Sequence, residues 1–299
     1  MHTTTFKPTA RSAARVARDV DSLFKLRIGV LIMITALVGM AVTPGPMPSL
    51  VQAGLLGLSV LLASASAGAF NQYAEYESDR LMQRTRSRAF ASGALTHHPG
   101  WLALMAALLV LSVALAWLQF NAMAALHVFM GAFFYGVVYT LWLKRRTHWN
   151  IVIGGLAGSF AVLAGAAAID PMPGPLPWLL ALVLFLWTPP HFWSLAIANR
   201  DDYAQAGVPM LPGVVGPQRA ATIGRASTCA LFAASLLPLA YGAGWAYAAG
   251  ALGGGAYFMY RSWRLVRSPV RAAAMGAFFA SLTQLCALLA GACIDVALR

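Results

Sequence analysis

The sequence predicts an all-α, polytopic membrane protein with nine transmembrane helices. Hydrophobic residues make up 60% of the chain and charged residues only 10%, whereas soluble domains carry about 25% charged residues. Nine apolar segments of roughly spanning length occur at 26–43, 50–70, 100–120, 122–143, 151–169, 176–198, 224–243, 245–260 and 272–294. They leave no room for a separate soluble domain, so we expect a tail, 1–25, and one membrane domain, 26–299.

The basic residues set the number and the orientation of the helices. Only Gly242 to Gly244 separates the seventh and eighth segments, and the eighth is short, so the two could also form one helix. With nine helices, all but one of the 21 lysines and arginines fall on one side of the membrane, in the tail and in alternate connections. Because basic residues favour the cytoplasmic side, we expect nine helices with the amino terminus inside and the carboxyl terminus outside.

The amino-terminal tail bears on localisation. It is rich in lysine and arginine and precedes an apolar segment that is long for a signal peptide, so we expect a cytoplasmic tail and a retained first helix in a bacterial inner membrane. An Arg-rich, acid-poor start also fits a mitochondrial transit peptide, which leaves the mitochondrial inner membrane as an alternative.

The net charge of +12 follows from this topology and from contact with anionic lipid, so no nucleic-acid partner is expected. The three cysteines, Cys229, Cys286 and Cys293, lie inside apolar segments without a CxxC pair, which predicts buried, inert thiols.

Polar side chains are concentrated where the second apolar segment ends. Asn71, Glu75 and Asp79 are spaced by four, so on a helix they lie on one face, one turn apart. We call these three residues the acidic ladder. Four arginines follow: Arg80, Arg84, Arg86 and Arg88. On a straight helix the row of Arg80, Arg84 and Arg88 faces away from the ladder, so the segment must curl back for these arginines to reach it.

A second acidic pair, Asp201 and Asp202, ends the sixth segment and emerges on the same side of the membrane as the ladder. The two clusters can therefore face each other. Carboxylate and amide oxygens are ligands that Mg²⁺ prefers, and Mg²⁺ commonly joins carboxylates to substrate phosphates. The sequence thus predicts a site for Mg²⁺ and a diphosphate, with arginines holding the remaining phosphate oxygens.

A diphosphate site inside a membrane protein indicates ionisation of an allylic prenyl diphosphate, in which metal and arginines stabilise the leaving group. Ring faces near the clusters could shield the carbocation; they belong to Phe70, Tyr73, Tyr76, Trp193 and Tyr203. His191, beside two prolines in the sixth segment, is either a pocket ligand or a hydrogen-bonded structural residue. A secondary transporter is a rival class, but transporter sites lie near the bilayer midplane rather than at helix ends.

Two stretches carry a resemblance to a known family. NQYAEYESDRLMQRTRSRAFASGALT and WTPPHFWSLAIANRDDYAQAGVPMLPGVVG resemble the protoheme IX farnesyltransferases (haem O synthases) of the UbiA-type intramembrane prenyltransferases, over essentially the whole chain. The first motif is shared across that superfamily, whereas the second is typical of the haem branch. The alternative is a prenyltransferase that acts on another acceptor, such as a quinone precursor, and only the second motif argues against it.

The resemblance implies nine helices around a central cavity. It also implies a Mg²⁺-dependent enzyme that transfers farnesyl from farnesyl diphosphate to a vinyl group of protoheme IX and, with water, gives haem O. It implies the following roles. Asn71, Glu75 and Asp79 hold metal and diphosphate, Arg84 and Arg88 act with them, Asp201 and Asp202 form the second acidic motif and also hold metal, and His191 is a candidate haem contact. From their positions near the two clusters rather than from the resemblance, we also expect substrate contacts from Arg80, Tyr73, Trp193 and Tyr203. Haem A synthase or terminal-oxidase assembly factors are implied as partners. The chain departs from the family at Glu75 and Glu77, usually aspartates, and at Ala89, usually proline.

Overall fold

A computed structural model describes residues 20–46 and 48–298, and within them nine long helices occupy the nine predicted places, with no strand. They are α1 Leu26–Val42, α2 Leu50–Ala74, α3 Gly100–Gln119, α4 Ala122–Phe133, α5 Leu156–Ile169, α6 Pro175–Ala198, α7 Pro217–Leu236, α8 Trp245–Arg267 and α9 Arg271–Ala297. A π-helix, Phe134–Leu143, continues α4, and a 3₁₀ turn, Leu237–Tyr241, continues α7. Short helices cover Tyr76–Leu81, Asn150–Gly154, Arg200–Gln205 and Leu211–Val215.

Seven of the helical segments in the described ranges are long and apolar enough to cross a membrane. The predicted all-α, multi-pass class is therefore confirmed. With 17 residues, α1 is shorter than these seven, and α8 is less apolar. That all nine helices span the bilayer stays a prediction.

Local sequence signals fix several helix ends. Ser49 and Gln52 form a capping box at the start of α2: the Ser49 hydroxyl accepts from the Gln52 N–H at 3.2 Å, and the Gln52 side chain accepts from the Ser49 N–H at 2.8 Å. Asn121 caps α4 by accepting from the Ala124 N–H at 2.9 Å.

Helices α7 and α8 are separate. Gly242 ends the 3₁₀ turn at φ +96°, a left-handed conformation that glycine adopts without strain. The start of α8 is capped from another helix, because the Asp295 carboxylate of α9 accepts from the Gly244, Ala246 and Tyr247 N–H groups at 2.7, 3.0 and 3.1 Å. The short glycine connection is therefore a true helix break, as the charge pattern predicted.

The helices form two four-helix groups, α2–α5 and α6–α9, and α1 packs against both. Gly39 of α1 and Gly165 of α5 let these two helices approach closely. A Cβ on Gly39 would overlap the Val162 carbonyl, and a Cβ on Gly165 would overlap the Ala36 carbonyl. This close contact holds α1 in place and, with it, Lys25 immediately before its first residue.

We expect Gly165→Ala to lower the free energy of unfolding by about 1–3 kcal/mol, because the α1 and α5 backbones would have to separate. The matched control is Gly158→Ala on the same helix, where an added Cβ meets nothing within 4 Å. Denaturant unfolding of the detergent-purified variants measures the difference. Equal stability of the two variants would contradict the close α1–α5 contact.

Most of the predicted tail, residues 1–19, lies outside the described residues. Residues 20–24 are helical, and Leu23 is buried beside Ala69, Phe90 and Met105. The end of the predicted tail therefore packs onto the bundle rather than extending from it.

The predicted burial of the cysteines is wrong: Cys229, Cys286 and Cys293 are all exposed. They lie on α7 and α9, where apolar residues face outward as well as inward. An apolar segment alone does not distinguish these two faces, because lipid is also an apolar environment.

Candidate active site

The acidic ladder keeps its one-turn spacing across a break in the helix. Helix α2 ends at Ala74, and Glu75 has φ −106° and ψ 8° before the short helix Tyr76–Leu81 begins. The Glu75 N–H still donates to the Asn71 carbonyl at 3.1 Å, and the Asp79 N–H donates to the Glu75 carbonyl at 2.9 Å. All three ladder residues are buried.

Lys25 contacts the first ladder residue. Its Nζ donates to Asn71 Oδ1 at 2.6 Å and to the Tyr135 hydroxyl at 2.7 Å. Among the described residues, Lys25 is the one non-glycine residue with positive φ, +50°, a sparsely populated conformation that tends to occur at functional sites. Burial and the positive charge of Arg88 hold the pKa of Lys25 well below its usual value.

Lys144 contacts the second ladder residue. Its Nζ lies 2.6 Å from Glu75 Oε2, and both side chains are buried, 10% and 4% exposed. Lys144 follows the last residue of the π-helix, and its N–H donates to the Tyr139 carbonyl, five residues back.

The π-helix aligns polar residues that are five positions apart. The Thr140 hydroxyl donates to the Tyr135 carbonyl, and Asn71 Nδ2 donates to Thr140 Oγ1 at 3.0 Å. Tyr135 and Thr140 therefore face the ladder together. π-Helical turns occur frequently at functional sites.

Arg88 contacts the third ladder residue. One of its guanidinium nitrogens lies 3.0 and 2.8 Å from the two carboxylate oxygens of Asp79. The chain between them turns back: the Thr85 hydroxyl donates to the Asp79 carbonyl at 3.1 Å, and the Arg88 N–H donates to the Thr85 carbonyl at 2.9 Å. The predicted curl of this segment is confirmed for Arg88.

Two buried side chains hold the curled segment. Met82 packs with Ile151, Tyr203 and Met210, and Phe90 packs in a second cluster that includes Leu23. Met82 and Phe90 are each 1% exposed. Arg88 lies between these two anchors along the chain, which fixes its backbone beside Asp79.

The second acidic pair lies beside the curled segment. The Asp202 carboxylate accepts from the N–H groups of Gln83 and Arg84 at 3.3 and 3.2 Å. Asp201 points outward, with its side chain 83% exposed and paired with Arg200 at 3.2 Å. The two acidic clusters are thus adjacent, but Asp202 approaches the loop backbone rather than the ladder carboxylates.

Other predicted site residues lie away from the ladder. Arg80 is exposed, donates to the Ala91 carbonyl at 2.9 Å and stacks over Tyr76. Tyr73 stacks on His97 at 3.8 Å. Arg84 is exposed, and its guanidinium makes no ion pair with any described residue.

Three predicted substrate residues are buried in helix contacts. Tyr203 packs against Met82, and Trp193 lines a small pocket between α6, α7 and α8 with an indole N–H that no described residue accepts from. His191 also lies in α6, eight residues before Asn199, or about 12 Å along the axis. Although Pro189 and Pro190 remove two N–H donors, α6 continues unbroken through them.

The buried cluster contains two carboxylates, Glu75 and Asp79, and three basic side chains, Lys25, Lys144 and Arg88. Each ladder residue is bound by a basic side chain from a different part of the chain. Within the described ranges, no three His, Cys, Asp or Glu side chains come close enough to hold a metal ion. Each of the two buried carboxylates is therefore paired with a basic side chain, and Lys25 adds a third N–H donor that suits an anionic ligand.

Residues 32–283 match the UbiA prenyltransferase family, and the chain belongs to it. The protein is therefore an intramembrane prenyltransferase. Within the family, the chain is 56% identical to a protein named protoheme IX farnesyltransferase 2 from Paramagnetospirillum magneticum, over 92% of this chain and 95% of the relative. It is 40% identical to a protoheme IX farnesyltransferase of Xylella fastidiosa, over 96% of this chain and 97% of that one.

Solved structures share the fold at lower identity. A structure described as digeranylgeranylglyceryl phosphate synthase aligns with a TM-score of 0.78 at 17% identity, over 95% of this chain and 100% of that one. A UbiA homolog from Aeropyrum pernix aligns with a TM-score of 0.72 at 22% identity, over 91% of this chain and 98% of the other. A UbiA homolog from Archaeoglobus fulgidus bound to GPP and Mg²⁺ aligns with a TM-score of 0.68 at 17% identity, over 92% and 99%.

Proposed function

We propose that this protein is a protoheme IX farnesyltransferase. It transfers the farnesyl group of farnesyl diphosphate to a vinyl group of protoheme IX and, with addition of water, forms haem O. The observation that carries the reaction type is the buried ladder with its three basic side chains. The acceptor follows from the relatives that bear the name protoheme IX farnesyltransferase.

The ladder residues suit Mg²⁺ by their chemistry. They offer an amide oxygen and two carboxylates, which are hard oxygen donors. Asn71, Glu75 and Asp79 would hold the metal, and Asp201 and Asp202 are proposed for the opposite side of the site. Mg²⁺ bound there would neutralise the charge that develops on the departing diphosphate. A UbiA homolog from Archaeoglobus fulgidus, which shares this fold, is described as bound to GPP and Mg²⁺.

Three basic side chains beside the ladder could bind the diphosphate itself. Lys25, Lys144 and Arg88 are fixed within reach of the ladder by their present hydrogen bonds. We propose that these side chains also donate to diphosphate oxygens, because donors already buried near a leaving group cost little to reorganise. Arg84, which is exposed and makes no ion pair with the residues that the structure describes, would bind the diphosphate as it enters.

The remaining predicted residues take roles outside the metal cluster. His191 is proposed to contact the porphyrin, about 12 Å from the helix end along α6. Trp193, Tyr203, Tyr73 and Arg80 are proposed to shape the substrate cavity or its rim. The helices would enclose a central cavity for the farnesyl chain and the porphyrin.

For the membrane arrangement, we propose nine spanning helices with the amino terminus inside and the carboxyl terminus outside, forming the single domain 26–299. The active site then faces the cytoplasm of a bacterial inner membrane. Its partner proteins would be haem A synthase or terminal-oxidase assembly factors, which use the haem O product.

The test is to incubate the purified protein with Mg²⁺, farnesyl diphosphate and protoheme, and to look for haem O by chromatography and mass. We expect a product with one added farnesyl and one added water. It should disappear when a chelator removes Mg²⁺ and return when Mg²⁺ is restored.

Two outcomes would contradict the proposal. Prenylation of an aromatic quinone precursor without any change to protoheme would show that the acceptor is wrong. Ion-dependent uptake into liposomes, with no product from farnesyl diphosphate, would favour transport instead.

A further inference from the structure

His191 is held rigidly between aromatic rings. Trp187 stacks on one face of the imidazole with centroids 4.1 Å apart, and Phe278 of α9 stacks on the other at 4.5 Å. Phe192 meets the ring edge-on at 5.0 Å. These three contacts fix the plane of the ring, so its two nitrogens point in fixed directions.

Ser281 of α9 binds one of these nitrogens. His191 Nδ1 lies 2.7 Å from the Ser281 hydroxyl oxygen, and that hydroxyl also lies 2.6 Å from the Phe278 carbonyl. Trp187 Nε1 donates to the Ser281 carbonyl at 2.8 Å, which holds the two helices in register. Both Ser281 and His191 are buried.

The geometry determines the tautomer of the imidazole. Two oxygens 2.6 Å apart repel unless a proton lies between them, and a carbonyl can only accept, so the single hydroxyl proton of Ser281 goes to Phe278. The hydroxyl oxygen must then accept from His191, which puts the imidazole proton on Nδ1. Nε2 is left with a bare lone pair, and it makes no hydrogen bond with any residue in the described ranges.

A histidine whose Nδ1–H is tied to a neighbouring acceptor is the arrangement that metal-ligating histidines use. We propose that Ser281 is a positioning residue that fixes His191 in the Nδ1–H form, so that Nε2 binds the iron of the porphyrin acceptor. The identity of the ligand, porphyrin iron, rests on the proposed function. Binding donates the Nε2 lone pair to iron, and no proton has to leave because Nε2 carries none.

The test compares two buried serines. Ser281→Ala removes the acceptor for Nδ1, whereas Ser235→Ala removes a similar hydroxyl on α7 that also bonds a carbonyl three residues back but does not touch a histidine. The probe is ferric protoheme, titrated into detergent-purified protein and followed by its optical spectrum. We expect the histidine-ligated spectrum in wild type and in Ser235→Ala, its loss in His191→Ala, and about 10-fold weaker binding or more in Ser281→Ala.

A second measurement does not depend on haem. In protein with ¹⁵N-labelled histidine, the His191 signal, assigned with His191→Gln, should report Nδ1–H in wild type and a mixture of tautomers in Ser281→Ala. Ser281→Thr keeps the hydroxyl and should restore the wild-type tautomer. Nε2–H in the wild type, or equal haem affinity in the two alanine variants, would overturn the inference.

The outcome also separates this inference from the proposed function. Histidine-ligated haem with the expected tautomer but no haem O would reject the proposed reaction and leave the role of Ser281 standing. If haem O forms but Ser281→Ala changes neither the tautomer nor the haem affinity, the proposed reaction stands and the role of Ser281 is rejected.

Discussion

Asp79→Asn is expected to lower the rate of haem O formation by about 100-fold or more, since it removes a buried charge proposed to act on the leaving diphosphate. The Asp79 side chain is 1% exposed and both of its oxygens face Arg88, so its charge is not exposed to water. Turnover under saturating farnesyl diphosphate, compared with turnover at low concentration, measures the loss.

In this variant, a loss of stability must be distinguished from a loss of catalytic activity. An unpaired Arg88 in a buried place is itself destabilising. We therefore pair Asp79→Asn with the double variant Asp79→Asn, Arg88→Gln, which removes both charges and should unfold closer to wild type while staying inactive. Glu77→Gln is the matched control, since Glu77 is an exposed acid two residues away. Wild-type turnover in Asp79→Asn would exclude Asp79 from the site.

The nine helix positions were predictable because apolar length and charge position are properties of the sequence alone. The ladder was predictable for a similar reason: a spacing of four survives the break at Glu75, since the Asp79 N–H still bonds the Glu75 carbonyl. The curl of the segment after Asp79 also followed from spacing, because only a turn could bring Arg88 back to the ladder.

Lys25 and Lys144 were not predictable as site residues. In the sequence both are basic residues on the side that the charge pattern predicts to be cytoplasmic, where topology alone explains them. Lys144 reaches Glu75 because the end of α4 winds as a π-helix, and the apolar pattern of 122–143 carries no signal for that change. Lys25 reaches Asn71 because the segment before α1 packs onto the bundle in a left-handed turn.

The roles of Arg84 and Arg88 could not be separated in the sequence either. They share one spacing and one topology, and both lie between the buried anchors Met82 and Phe90, but only the Arg88 guanidinium contacts Asp79. Arg84 instead presents its backbone N–H to Asp202 and leaves its guanidinium exposed. Tertiary packing, rather than local pattern, decides which arginine reaches the ladder.

Lys144→Met is expected to have the largest combined effect on stability and activity. It leaves Glu75 as a buried charge without its partner, which should cost about 3–5 kcal/mol of unfolding free energy. It should also raise the KM for farnesyl diphosphate, because a proposed diphosphate donor is lost. Denaturant unfolding and steady-state kinetics measure the two effects, and Arg145→Met, at an exposed neighbouring position, is the control.

The double variant Glu75→Gln, Lys144→Met separates the two roles of Lys144. Removing both charges of a buried pair is often nearly neutral for stability, so the double variant should recover most of the lost unfolding free energy. If Lys144 serves only to neutralise Glu75, affinity for farnesyl diphosphate should recover with stability. If Lys144 also binds the diphosphate, the double variant should fold normally and still show weak farnesyl diphosphate binding in a Mg²⁺-free titration, which does not depend on Glu75 as a metal ligand.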